Sequence, residues 1–480
     1  MPGLCPYRSQ AAAQPEREQR VSRLIQTMPG NLPTEERHFC LTNRSFKSGT
    51  LFSMLNNKKK IFFALAGLVV LVGAAGAIYQ IPAIKNRLEW RLIVWSTYVH
   101  NTIDPVGKMP TPLPSTPFAT FPPVAFTPAS PVMPTSPAIT PSVTAQPLPS
   151  QVSLPSPKYE LQGINNCGPA TLTMALRMYG WQGDQNDIAK IVKPVPQDRN
   201  VNPDELRYFV LTQAGWLRAE FRVAGDLSLL KQLLAANYPV IIEEASKLDP
   251  QDANGPADDL WDAHYLLITG YDDTAGAFTA QDPLRGPDQK IPYDRLWTDW
   301  KPFNYLYMVI YQPQDESELK SILGGNWDPD QNRRNALAGS QAAVTADPTD
   351  PFAWFNLGSS LVYFGRYTEA AQAFDKAFTI GLPLRMTRYQ FWPFFAYYNA
   401  GRIDYLLQMT ENTYKSISGE YSEEALLWHG YGLLSQGDAA GALADWNKAL
   451  KVHPNYCDAE KAINTYIQPT YQLTNPPCSP

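Results

Sequence analysis

Cys167 lies in the run QGINNCGPATLTMALRMYG, residues 162 to 180. Gly168-Pro169 follows it at once. Leu172, Ala175, Leu176 and Tyr179 then recur at i, i+3, i+4 and i+7, and Gly180 supplies a stop. Pro169 suits a first helical turn, where a missing N–H costs nothing. The pattern therefore predicts Cys167 at a helix N-terminus, where the macrodipole and free backbone N–H groups favour thiolate over thiol. Such a cysteine is a nucleophile if a histidine reaches it. Of five histidines, His38 and His100 fall outside any expected catalytic core, and His429 and His453 fall in a C-terminal helical region. That leaves His264, in DAHYLLITGYDD.

His264 opens a strand-like run, and a second strand, AFTAQDP, follows a turn at DDTAG. If the hairpin pairs Tyr271 with Ala277, Asp282 falls opposite Leu266, on the face of His264 and diagonal to it. A one-residue slip would send Asp282 to the other face. Asp262, Asp272 and Asp273 compete with it as partners for the imidazole. Around this hairpin the expected fold is α+β. Helices come first: the Cys167 helix, NPDELRYFVLTQAG with Asn202 as N-cap, and DLSLLKQLLAANY. Strands follow at YPVIIEEA, at the hairpin and at NYLYMVIYQP.

Over roughly residues 155 to 312 this arrangement resembles the papain-like cysteine peptidases of the bacteriocin-processing, double-glycine type. The likeness rests on Gln162 five residues before the cysteine and on Cys167-Gly168-Pro169-Ala170. It rests also on His264-Tyr265 entering a strand about a hundred residues later, and on Asp282-Pro283 ending the next strand. The resemblance implies Cys167 as nucleophile, His264 as general base and acid, Asp282 as orienter of the imidazole and Gln162 as donor to the oxyanion. It implies no cofactor and no catalytic metal. The acidic stretch from 243 to 262 (Glu243, Glu244, Asp249, Asp252, Asp258, Asp259 and Asp262 against Lys247) departs from the family pattern. It reads as a solvated loop bordering the cleft, or as a lid favouring cationic substrates. DPQDANG misses the calcium-loop spacing.

The surrounding chain is uneven in charge. Residues 1 to 60 hold ten Lys/Arg against four Asp/Glu, so a net charge of −5 leaves the remainder at −11. The acidic balance argues against nucleic-acid binding. Residues 61 to 84, directly after Lys58-Lys59-Lys60, are an uncharged apolar run long enough to span a bilayer. The flanking charges point to an inside N-terminus. The length of the run favours an uncleaved anchor over a signal peptide cut near Ala75-Gly76-Ala77. Met54 is a natural alternative start, with residues 1 to 53 a tail. Residues 85 to 104 read as a juxtamembrane segment, helical over 85 to 101. From 105 to 157 there are sixteen prolines, and no charge stands between Lys108 and Lys158. That composition predicts an extended spacer.

Beyond the expected catalytic domain, 158 to 315, Gly365, Gly401 and Gly437 recur every thirty-six residues. Trp354, Leu357, Gly358, Ala370, Phe374 and Ala377 match the tetratricopeptide pattern, and so do Gly430, Leu433, Ala442, Trp446, Ala449 and Pro454. Residues 325 to 468 thus resemble a short all-α tetratricopeptide array, with an odd helix at 333 to 348 leading it and a tail at 469 to 480. Such an array implies a peptide or protein partner. Cys457 and Cys478 could pair. The expectation is a single-pass membrane peptidase, its catalytic domain extracytoplasmic, acting on a peptide or protein substrate. A cysteine-dependent acyl or amide transferase and a non-catalytic binding protein are the alternatives. With no GxxxxGK[ST] motif and no bundle of spans, the family's leader-peptide substrate does not carry over.

Overall fold

The computed structural model describes residues 49–103, 147–247, 261–416, 419–454 and 456–467. The acidic loop from 248 to 260, most of the proline-rich stretch and Cys478 lie outside them. By internal contacts the chain divides into Met1–Ala75 and Gly76–Pro480. Helix α1 spans Gly49–Tyr79, and its segment Phe62–Tyr79 is long and apolar enough to cross a membrane. After Gln80 and Ile81 a second helix, α2, runs Pro82–Ile103. Pro82 sits at its first position, where no backbone donor is needed.

The α+β part is built on a seven-stranded, wholly antiparallel sheet. Its strands are β1 Gln151–Ser153, β2 Arg218–Arg222, β3 Val240–Lys247, β4 Trp261–Asp272, β5 Ala277–Asp282, β6 Gly286–Pro292 and β7 Tyr307–Tyr311. The order is β2-β7-β3-β4-β5-β6, with β1 also on β4. Helices α3 Cys167–Arg177, α4 Gln185–Val192 and α5 Pro203–Gln213 cover one face. Helices α6 Leu227–Ala235, α7 Tyr293–Trp300 and α8 Glu316–Leu323 cover the other. The strands are apolar on both sides because both are packed. Ile241, Leu267 and Met308 meet the Cys167 side, whereas Val240, Ile242, Leu266 and Val309 meet the opposite one.

Three expectations need correction. The stretch read as spacer to residue 157 ends inside the domain, since Val152 pairs with Tyr271 and Leu154 is buried. Gly270 permits this, because a Cβ there would stand 2.5 Å from the Val152 carbonyl oxygen. Glu243 and Glu244 belong to β3 and are buried, not part of a solvated loop; β3 stays paired with β4 as far as Lys247. The hairpin pairs Tyr271 with Phe278 and Asp272 with Ala277, one step from the expected register.

Among the described residues eight α-helices follow: α9 Pro329–Ala346, α10 Pro351–Tyr363, α11 Tyr367–Ile380, α12 Trp392–Asn399, α13 Ile403–Lys415, α14 Glu423–Ser435, α15 Ala439–Val452 and α16 Cys457–Tyr466. Gly365, Gly401 and Gly437, at φ 68°, 72° and 87°, make the turns between α10 and α11, α12 and α13, and α14 and α15. Helices α14–α16 enclose an apolar cluster of their own around Trp446, but the helices before them share theirs. Val223, Trp261, Phe303 and Leu306 of the α+β part share one apolar cluster with Phe355, Leu361, Phe374 and Met386. Polar ties reinforce the seam: Lys301 pairs with Asp350 at 2.8 Å, and Gln390 donates to the Pro302 carbonyl at 2.7 Å.

Candidate active site

Cys167 is the first residue of α3, and Ala170 N–H reaches back to the Asn166 carbonyl at 2.9 Å. The approach from Gln162 to Cys167 is fixed by a residue that sequence reasoning missed. Gln185, at the start of α4, accepts from Gly163 N–H at 2.7 Å and from Asn166 Nδ2 at 2.8 Å, and it donates to the Leu161 carbonyl at 2.7 Å. The backbone of Gln162 donates to the Pro283 carbonyl at 2.8 Å, tying the loop to the end of β5. Thr171 hydroxyl donates to the Tyr265 carbonyl at 3.0 Å and fastens α3 beside His264.

His264 and Asp282 are both buried, and His264 Nε2 stands 2.9 Å from Asp282 Oδ1. That leaves Nδ1 for Cys167. The register explains how the pair meets. At the turn the pairing runs one residue off the expected one, and a bulge at Thr269, between Ile268 and Gly270, takes that residue back. Leu267 then faces Gln281, and one further step sets Asp282 beside Leu266, on the face of His264. The turn that an Asp-Pro step suggests is present too. Asp282 Oδ1 accepts the N–H groups of Leu284 at 2.8 Å and Arg285 at 2.9 Å, while Oδ2 takes Arg285 Nη1 at 2.9 Å. Arg285 also reaches Ser246 Oγ at 2.9 Å. No sequence signal marked this arginine beyond its place three residues after Asp282.

The electrostatics follow from that packing. Burial works against charge on His264, but the Asp282 charge, its hydrogen bond and the contact with Cys167 outweigh it and push the imidazole up to about 10. Burial likewise opposes ionisation of Asp282, yet His264, Arg285 and the backbone donor hold its carboxyl well below the usual range. Glu244 is paired in register with His264 and completely enclosed. Burial lifts its carboxyl to about 7, opposed by His264. The competing aspartates are engaged elsewhere: Asp272 caps Thr274 and Ala275, Asp273 pairs with Lys231, and Asp262 accepts from Tyr389.

Gln162, Asn165, Cys167, Arg199, Asp262 and His264 line one cavity, with Trp90 of α2 also on its wall. A second, smaller cavity adjoins Cys167 and is walled by Glu243, Asn200, Tyr265 and Tyr389. Burial first, and then nearby Cys167, push the Glu243 carboxyl well above its ordinary range, against a hydrogen bond from Tyr265. Tyr389 comes from the segment between α11 and α12, so the helical part reaches the cleft. Cys457 is disulfide-bonded, whereas Cys167 is free.

Residues 145–308 match the model of the Peptidase_C39 like family. The segment is a C39-like cysteine peptidase domain of papain-like fold, and the remainder is mostly helical among the described residues. Solved structures similar to parts of the chain include xylellain, a cysteine protease from Xylella fastidiosa, at 15% identity over 35% of this chain and 87% of that one, TM-score 0.27. A double glycine motif protease from an AMS/PCAT transporter, solved with its leader peptide, is 15% identical over 34% and 94%, TM-score 0.25. YrrB, a TPR protein with a peptide-binding site, is 18% identical over 30% and 87%, TM-score 0.17. Among curated proteins none matches the chain.

Proposed function

We propose that the chain is a membrane-anchored peptidase that cleaves peptide bonds with Cys167, His264 and Asp282, its catalytic domain on the extracytoplasmic side. His264 Nδ1 takes the Sγ proton, and the thiolate adds to the substrate carbonyl. The oxyanion is met by Gln162 and by backbone N–H groups of the first turn of α3. Collapse of this intermediate breaks the C–N bond as the imidazolium gives its proton to the leaving amine. A thioester remains, and water deprotonated by the same imidazole hydrolyses it. Asp282, oriented in turn by Arg285, keeps Nδ1 aimed at sulfur. The single observation carrying this reading is that Cys167, His264 and Gln162 line one cavity while His264 bonds Asp282 at 2.9 Å.

In this reading 61 to 84 is the anchor, 105 to about 146 the spacer and 158 to 315 the body of the catalytic domain. Residues 325 to 468 are a tetratricopeptide-type array that binds a segment of the protein substrate. The recurrent glycine turns and paired helices support that assignment. A membrane-impermeant thiol electrophile applied to intact cells tests the proposal. Labelling of Cys167 in intact cells, lost in Cys167→Ser, is the expected outcome. Labelling only after lysis would place the enzyme inside the cell, and no labelling of the folded protein would remove the catalytic assignment.

A further inference from the structure

The seam between the catalytic domain and the helical module contains a second cluster of ligating side chains, outside the catalytic set. Glu205 from the first turn of α5, Glu423 from the start of α14 and His453 from the turn after α15 bring one ligand atom each within 4.8 Å of one another. His453 Nδ1 lies 3.1 Å from Glu423 Oε1 and 3.8 Å from Glu205 Oε1. Glu205 Oε2 is held by the Asn202 N–H at 2.7 Å, which fixes that carboxylate at the helix cap.

Two further observations point to a missing partner. Glu423 is 3% exposed and Glu424 5%, yet Oε2 of each is sealed from solvent without a hydrogen-bond partner. Oε1 of Glu424, by contrast, accepts from Asn202 at 2.8 Å and from Asn200 at 3.3 Å. The charge is also unbalanced. Asp198, Glu205, Glu423 and Glu424 repel one another across the cluster, and Lys193 is the ammonium that faces Asp198, Glu423 and Glu205. Buried carboxylate oxygens without donors are costly unless a cation takes the lone pairs.

We propose that Glu205, Glu423 and His453 hold a divalent cation that clamps the helical module to the catalytic domain. Two carboxylates and one imidazole are a donor set for Zn²⁺ or Mn²⁺, with water completing the shell, whereas Ca²⁺ takes six to eight oxygens. Glu423 brings Oε1 to His453 and carries on the same carboxylate the oxygen that lacks a donor. If His453 ligates through Nδ1, the proton on that nitrogen passes to solvent.

The test uses full-length Cys167→Ser protein, so that the active-site thiolate cannot take the metal. After chelator treatment it is titrated with Zn²⁺ and with Mn²⁺ alone, by calorimetry and by thermal melting. One equivalent should bind and raise Tm, and Glu205→Gln and Glu423→Gln should each weaken binding by at least about tenfold. No binding by the parent, or an affinity unchanged in both variants (an adventitious ion only), overturns the proposal. Should a variant fail to fold, zinc X-ray absorption of the parent decides. One imidazole with oxygen donors supports the site, and no imidazole, or two or more, overturns it.

Discussion

Asp282 serves two masters through one carboxylate: it caps the turn at Leu284 and Arg285, and it grips His264. The type and spacing of Cys167, His264 and Asp282 were legible because each also carries a local signal, a helix start, a strand start and an Asp-Pro turn. Gln185 and Arg285 carry none, since they act through partners that only the fold brings near. The pair makes a stability prediction whose sign is fixed. Folding raises the His264 pKa from 6.5 to about 10, so its contribution is complete below pH 6.5 and is lost as pH rises through about 10. Folding lowers that of Asp282, so its contribution is present above the ordinary carboxylate range, about pH 4, and is lost on acidification. Urea titrations should therefore show the largest gap between the wild type and Asp282→Asn from about pH 4 to 6.5, shrinking steadily toward pH 10. A gap that stays constant across this range would mean that Asp282 does not hold the imidazole in its charged form.

Among elements, the hairpin shows why a reading can place a residue rightly through the wrong register. Alternation reports which residues share a face, but it is blind to a bulge, and Thr269 is β-branched and polar like many ordinary strand residues. Strands β2 and β6 were not anticipated either, because RAEFR and GPDQKIP are polar edge sequences without an apolar run. In the helical part, by contrast, small residues at fixed spacing spoke plainly. Gly430 is where α14 meets α15: a Cβ there would stand 2.4 Å from Trp446 Nε1, which donates to the Leu427 carbonyl at 3.0 Å. Gly339 in α9 has nothing within 4 Å. Adding a methyl group should consequently have opposite effects at the two sites. Gly339→Ala should stabilise by up to about 1 kcal/mol through helix propensity. Gly430→Ala should destabilise by about 1–3 kcal/mol through displaced packing. Denaturant midpoints of the two variants decide it, and stabilisation by both would show that α14 and α15 do not pack this closely.

At the scale of the molecule, two modules that the sequence separates by composition share a core that composition does not reveal. The thirty-six-residue period marks helical units, but it says nothing about which outer face is covered. That face is covered by Trp261 of β4, which stacks on Phe303 at 5.8 Å and leans on Tyr389 at 5.8 Å, and by Val223 and Leu306. Large apolar groups shared across a seam couple the stabilities of both sides. Calorimetry of the full chain should thus give one transition for the catalytic and helical parts, not two. Trp261→Ala, by opening a cavity at the junction, should cost about 3–5 kcal/mol and move that transition as a whole. Near-ultraviolet signals from the sheet side and the far-ultraviolet helical signal should fall together at the new midpoint. If the helical signal melted at its original temperature while the catalytic part melted early, the two modules would be independent, and the contact of Tyr389 with the cleft would be incidental to activity.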